Sequence, residues 1–140
     1  GSVDVNGGVL QSDSLAAPVT QDGGTIQRSS ASRGDMEISA AFTQTSGVVE
    51  LGLDSYSSYD AIVNTAQVTL EGVLRVTISN GYTPIAGQRY QIISNINNAN
   101  VTNTTLELPT LPNYLEWDEG TFDTDGKIRV KYKGSPQMGF

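Results

Sequence analysis

The chain has 140 residues, enough for one domain, and it contains neither cysteine nor histidine, so the common nucleophile–base pairs and most transition-metal sites are excluded. Against 8 basic residues stand 15 acidic ones, a net charge of −7, and that balance opposes binding to nucleic-acid backbones or anionic membranes. Gly, Ser, Thr and Asn are abundant and no apolar run is long enough to insert into a bilayer, which fits an extended β architecture with many turns.

Residues 1–27 carry short strand phrases, with turns expected at Asn6-Gly7-Gly8 and Asp22-Gly23-Gly24. Residues 28–35 form a polar loop, and 36–41 and 42–53 are strands. In the second, Val49, Leu51 and Leu53 share one side of an extended chain, with Glu50 and Gly52 on the other. A Ser/Tyr loop at 54–60 follows, then strands at 62–63, 68–70 and 73–78, where Leu74, Val76 and Ile78 alternate with Arg75, Thr77 and Ser79. After a turn at Asn80-Gly81-Tyr82-Thr83-Pro84 comes a strand at 90–94, an Asn/Thr-rich loop and a short strand at 106–108. Pro109 and Pro112 break regularity. Residues 114–118 and 127–133 read as a closing hairpin that turns near Asp123-Thr124-Asp125-Gly126. Lys127, Arg129, Lys131 and Lys133 are expected on the solvent face of an edge strand. No segment has a helical period.

A repeated phrase runs through these elements: a Gly, then two residues on an aliphatic residue that opens an alternation. It occurs at Gly1, Gly24, Gly34, Gly47, Gly72 and Gly126, and more weakly at Gly8. Its spacing resembles the rungs of stacked coils. The expected fold is all-β: a short right-handed parallel β-helix with an antiparallel C-terminal cap, the alternative being a β-sandwich of jelly-roll order. Residues 1–133 form one domain, with solenoid-like coils over 1–53, a capping region over 54–133 and a tail over 134–140. The core rows are Val49, Leu51, Leu53, Leu70, Leu74, Val76, Ile78 and Ile92. The opening Gly1-Ser2-Val3 falls mid-pattern, from which a fragment of a longer extracellular protein is expected.

Several phrases also carry a family resemblance. Phe42-Thr43-Gln44-Thr45-Ser46-Gly47, Tyr59-Asp60-Ala61-Ile62, Leu70-Glu71-Gly72-Val73-Leu74-Arg75-Val76 and the stretch from Gly81-Tyr82-Thr83-Pro84 to Tyr90-Gln91-Ile92-Ile93 occur in that order. Leu108-Pro109 and Leu115-Glu116-Trp117-Asp118 complete the set. This order is similar to the C-terminal region of autotransporter-associated β-strand repeat proteins, which are secreted bacterial β-solenoid proteins, and of related surface proteins. The chain departs from their pattern at 28–33 and in the Asn-rich stretch 95–105, both loops. The resemblance implies a non-enzymatic structural or adhesive module, extracellular or on the cell surface, that closes a coil stack and has upstream coils of the same parent protein as partner. It implies no catalytic residues. The competing class is a carbohydrate-binding module attached to a polysaccharide-active enzyme.

The candidate sites follow from residue chemistry. Tyr56, Tyr59, Tyr82 and Trp117 are candidate carbohydrate ligands, since exposed rings with polar neighbours mark recognition surfaces. Asp118, Asp123 and Asp125 are candidate calcium ligands, the one cofactor considered, because Asp-rich turns with Gly supply oxygens. Arg33-Gly34-Asp35 resembles an adhesion motif for a host or cell-surface protein, and it also falls where the repeat needs a Gly corner. Asp54 with Asp60 and Glu116 with Asp118 are the carboxylate pairs available for glycoside chemistry. Self-association through an open N-terminal edge is a further candidate interaction.

Overall fold

A computed structural model describes residues 2–30, 32–79 and 81–134. Its strands, in chain order, are β1 (Val3–Val5), β2 (Val9–Gln11), β3 (Ser14–Leu15), β4 (Val19–Gln27), β5 (Asp35–Ile38), β6 (Phe42–Ser55), β7 (Ser58–Tyr59), β8 (Ala61–Asn64), β9 (Val68–Leu70), β10 (Val73–Ile78), β11 (Arg89–Gln91), β12 (Ala99–Asn100), β13 (Thr105–Glu107), β14 (Leu115–Asp118) and β15 (Lys127–Tyr132). The protein is all-β, with a single-turn helix α1 (Phe122–Asp125) and a 3-10 turn Ile96–Asn98. No helix among the described residues is long and apolar enough to cross a membrane.

The chain alternates between two parallel sheets and advances by one strand in each. In the larger sheet β1 and β2 pair with β4, β4 with β6, and β6 with β9 and β10. β9 then pairs with β12, and β10 with β13. The smaller sheet runs β3, β5, β8, with a parallel bridge from Ile62 to Ile93. Antiparallel β7, folded back on β6, is the exception. This register puts like residues in columns: Val3–Val19–Phe42–Val68–Ala99, Leu10–Ile26–Val49–Leu74–Leu106 and Met36–Ile62–Ile93. Of the expected core rows, Val49, Leu51, Leu53, Leu70, Leu74, Val76 and Ile92 are buried, and Ile78 packs against them partly covered. Each buried aliphatic side chain contributes about 1.5–3 kcal/mol.

The third sheet is antiparallel, in the order β11-β15-β14, and its Leu115, Ile128 and Val130 join the same core. The expected hairpin is present, with α1 set into its connection. A four-residue helix is too short to show a period, so no helical signal marks it in the sequence. Gly126 ends the helix in the left-handed region at φ 71°, and a Cβ there would lie 2.2 Å from the Ile93 carbonyl oxygen.

Three expectations change. The predicted turn at Asp22-Gly23-Gly24 is a register shift inside continuous β4, not a break between strands. The basic strand is the middle strand of its sheet, not an edge, and Arg129 and Lys131 pair with Asp125 (2.7 Å) and Glu116 (3.4 Å). Parallel pairing does not stop at residue 53 but runs on to Glu107.

Candidate functional site

The sequence candidates fall into three clusters. The first is aromatic and surrounds Tyr90, a residue the sequence did not single out. Tyr90 is wholly buried. Tyr56, Tyr59 and Trp117 meet its ring edge-on, at centroid distances of 5.8, 5.3 and 6.2 Å and interplanar angles of 76°, 90° and 63°. The Tyr82 and Tyr90 hydroxyls lie 2.5 Å apart, and both donate to Gln88 Oε1, at 2.8 and 3.0 Å. Burial, with the Tyr82 hydroxyl beside it, pushes the Tyr90 phenol well above its usual range. Tyr59 accepts the Gln91 N–H (3.1 Å), and Trp117 Nε1 donates to the Pro109 carbonyl (2.8 Å). All four carbohydrate candidates are therefore brought together, but as interlocked edges and not as a flat platform. Of the four, only Tyr56 is an exposed residue.

The second cluster is a charged clamp. Asp60 is 2% exposed and accepts from four donors: Arg28 (3.3 Å), Arg33 (3.1 Å), the Gly34 N–H (3.1 Å) and the Gly52 N–H (2.8 Å). Four donors on one carboxylate compensate its burial. Arg33 also donates to Asp54 (3.1 Å), which accepts the Ser79 hydroxyl as well. That hydroxyl and Arg33 hold the Asp54 carboxyl below its usual range. Arg28 donates onward to the Ser32 carbonyl (2.6 Å) and the Asp35 carbonyl (3.0 Å) and lies 3.5 Å from Asp13. Asp13 accepts the Ser30 hydroxyl and the Ser29 and Ser30 N–H groups, and is held at a pKa of about 2, the Ser30 hydroxyl being the main cause. The Arg33 guanidinium covers Gly52: a Cβ there would sit 2.2 Å from that group and would push it out of its present position. Arg33-Gly34-Asp35 is thus a structural corner. Its arginine turns in to Asp60 and Asp54, its Gly N–H meets Asp60, and only Asp35 is exposed.

The third cluster is the acidic turn. Asp125 accepts from Arg129 (2.7 Å), the Lys127 N–H (3.0 Å) and the Thr121 hydroxyl (3.2 Å). Burial opposes its ionisation, yet these donors, Arg129 first, hold its carboxyl below the usual range. Asp123 is exposed and meets the Thr124 hydroxyl (3.4 Å). Asp118 is buried, with one oxygen on the Gly120 N–H (3.1 Å) and the other unpaired. The three acids do not converge, and no group of three or more acidic side chains among the described residues is placed to hold a metal ion. Neither carboxylate pair stands free for acid–base work, since Asp54 and Asp60 share Arg33 and Glu116 is paired with Lys131.

Sequence reasoning missed Arg28, Gln88, Tyr90 and the structural role of Asp60. The signal available for Asp60 was its place in Tyr59-Asp60-Ala61-Ile62, where a carboxylate stands directly before an apolar strand. Compared with known proteins, the chain matches no family model, no curated protein and no solved structure.

Proposed function

We propose that the chain is the capped end of a β-solenoid and serves as a non-enzymatic structural or adhesive module of a secreted or cell-surface protein. The observation that carries this reading is the column register Val3–Val19–Phe42–Val68–Ala99, one residue from each successive passage of the chain, all in parallel pairing. Parallel columns of this kind favour a coil stack over the antiparallel sandwich. The antiparallel β11-β15-β14 sheet lies at the late end of the stack and supports a capping role. The ordered phrases that resemble secreted β-solenoid proteins support placing the module outside the cell.

At the early end, β1, β2 and β3 have strand partners on one side only among the described residues. An unpaired strand edge calls for another strand, which supports further coils of the same parent protein as the partner. Because Arg33 is held inward, adhesion is not assigned to Arg33-Gly34-Asp35.

The cap role is tested by ending the chain after Leu108. This removes β14 and β15 and uncovers the core around Tyr90 and Ile92. Sedimentation velocity should show concentration-dependent association of a truncated chain that keeps its β circular dichroism, beyond any seen for the whole chain. A truncated chain that stays folded and monomeric would contradict the cap role.

A further inference from the structure

Outside the three clusters, the outer face of β4, β6 and β10 lines a groove of about 320 Å³ together with Arg28, Ser29, Ser30 and Arg33. Gln11, Gln27, Glu50 and Thr77 line it, beside the clamp's Arg28 and Arg33. Gln11, Gln27 and Glu50 are successive members of one outward column that continues into Arg75 and Glu107. Thr77 is the register partner of Gly52, the glycine under the Arg33 guanidinium.

The chemistry of this lining narrows the ligand. Its charged groups are two arginines and two carboxylates, Asp60 and Glu50. Both arginines are ion-paired to Asp60, and Glu50 lies 3.5 Å from Arg75. Among the lining residues no unopposed cation is left to hold a phosphate or uronate, and no group of three or more acids among the described residues is placed to hold a metal. The lining is too polar for an apolar ligand. The Gln11 and Gln27 amides and the Thr77 hydroxyl, by contrast, make no hydrogen bond within the described residues. They offer neutral donors and acceptors in a concave site whose walls are fixed by the Asp60 clamp. The volume is at the lower end for small-ligand sites.

We propose that this groove binds a neutral, hydroxyl-rich ligand, the end of an uncharged oligosaccharide, through Gln11, Gln27 and Thr77. Asp60 is covered by four donors and Glu50 is paired with Arg75, so the proposal is for binding and assigns no cleavage. This adds a glycan site to the scaffold role and does not depend on it. It also moves sugar recognition away from Tyr56, Tyr59, Tyr82 and Trp117.

The test is isothermal titration calorimetry of the whole chain with cellotriose, xylotriose, maltotriose and trigalacturonic acid, each at up to about 10 mM. At least one neutral trisaccharide should bind with a Kd of about 1 mM or tighter, and the acidic trimer should bind no better. Gln27→Ala and Thr77→Val should each weaken binding about tenfold, the loss of one direct hydrogen bond. Their thermal midpoints should match the parent's, because neither side chain bonds within the described residues. Tyr56→Ala should bind like the parent. Gln11→Ala, at an exposed position, gives the same reading if either of the other two variants folds poorly. Absence of binding, preference for the acidic trimer, or binding that Tyr56→Ala abolishes and Gln27→Ala leaves intact would each overturn the proposal.

Discussion

Gln21 and Gln44 are both wholly buried, and they stack in one column that Leu70 continues. Gln44 Nε2 donates to Gln21 Oε1 (3.0 Å) and the Gly47 carbonyl (3.1 Å), and its Oε1 accepts the Gly72 N–H (3.0 Å). Gln21 Nε2 donates to the Gly24 (3.1 Å) and Val48 (3.0 Å) carbonyls. Each amide thus pins the Gly corner of its own strand to the next strand of the sheet. The phrase Phe42-Thr43-Gln44-Thr45-Ser46-Gly47 was legible in the sequence, but the reason for its Gln was not, because the partners come from chain 23 or 28 residues away. Leu70 shows that the column accepts an apolar residue of similar volume where no corner depends on an amide. Gln44→Leu should therefore cost about 2–4 kcal/mol through the unpaired Gly72 N–H and Gln21 oxygen, not through lost volume. Urea unfolding followed by the fluorescence of Trp117, the only Trp, measures this; a loss below about 0.5 kcal/mol would show that the ladder is not what holds the corners.

Strand positions were the most legible elements, since period-two alternation reports directly on a half-buried strand. In the sequence the 28–35 stretch reads only as a polar loop. Its Arg28 and Arg33 are held by carboxylates that the sheet register delivers from elsewhere, namely Asp13 before β3, Asp54 at the end of β6 and Asp60 before β8. The same distance effect hid the position of the basic strand, since nothing local tells a middle strand from an edge. The loop carries a pH signature. Asp13, at about 2, and Asp54, below its ordinary range, hold their protons less tightly in the folded chain than in the unfolded one, where an Asp titrates near 4. Their stabilisation is therefore full above about pH 4 and is lost as pH falls towards 2. Urea midpoints measured across that window should drop steeply for the parent. They should drop less for the doubly substituted Asp13→Asn, Asp54→Asn chain, which starts lower at neutral pH. Equal slopes would remove these two groups from the account.

The all-β class and the closing hairpin could be read from pattern alone. Which residues meet across the molecule could not, because contact between successive strands of a parallel sheet depends on loop lengths that vary from one passage to the next. That is why the aromatic candidates gathered around an unnoticed Tyr90, why the acidic candidates stayed apart, and why the groove lined by Gln11, Gln27 and Thr77 had no sequence signal. The order of coils can be tested through the column Thr20–Thr43–Thr69 of the larger sheet. Register neighbours in a sheet stand about 5 Å apart, within reach of a disulfide, whereas members two strands apart stand about 10 Å apart and beyond it. The chain has no cysteine of its own. The measurement is oxidative cross-linking of three double variants, with cysteines at 20 and 43, at 43 and 69, and at 20 and 69. The stacked-coil account predicts that the first two pairs close in folded protein with no loss of thermal stability, and that the third stays reduced. Closure of the third pair, or failure of both adjacent pairs, would contradict it.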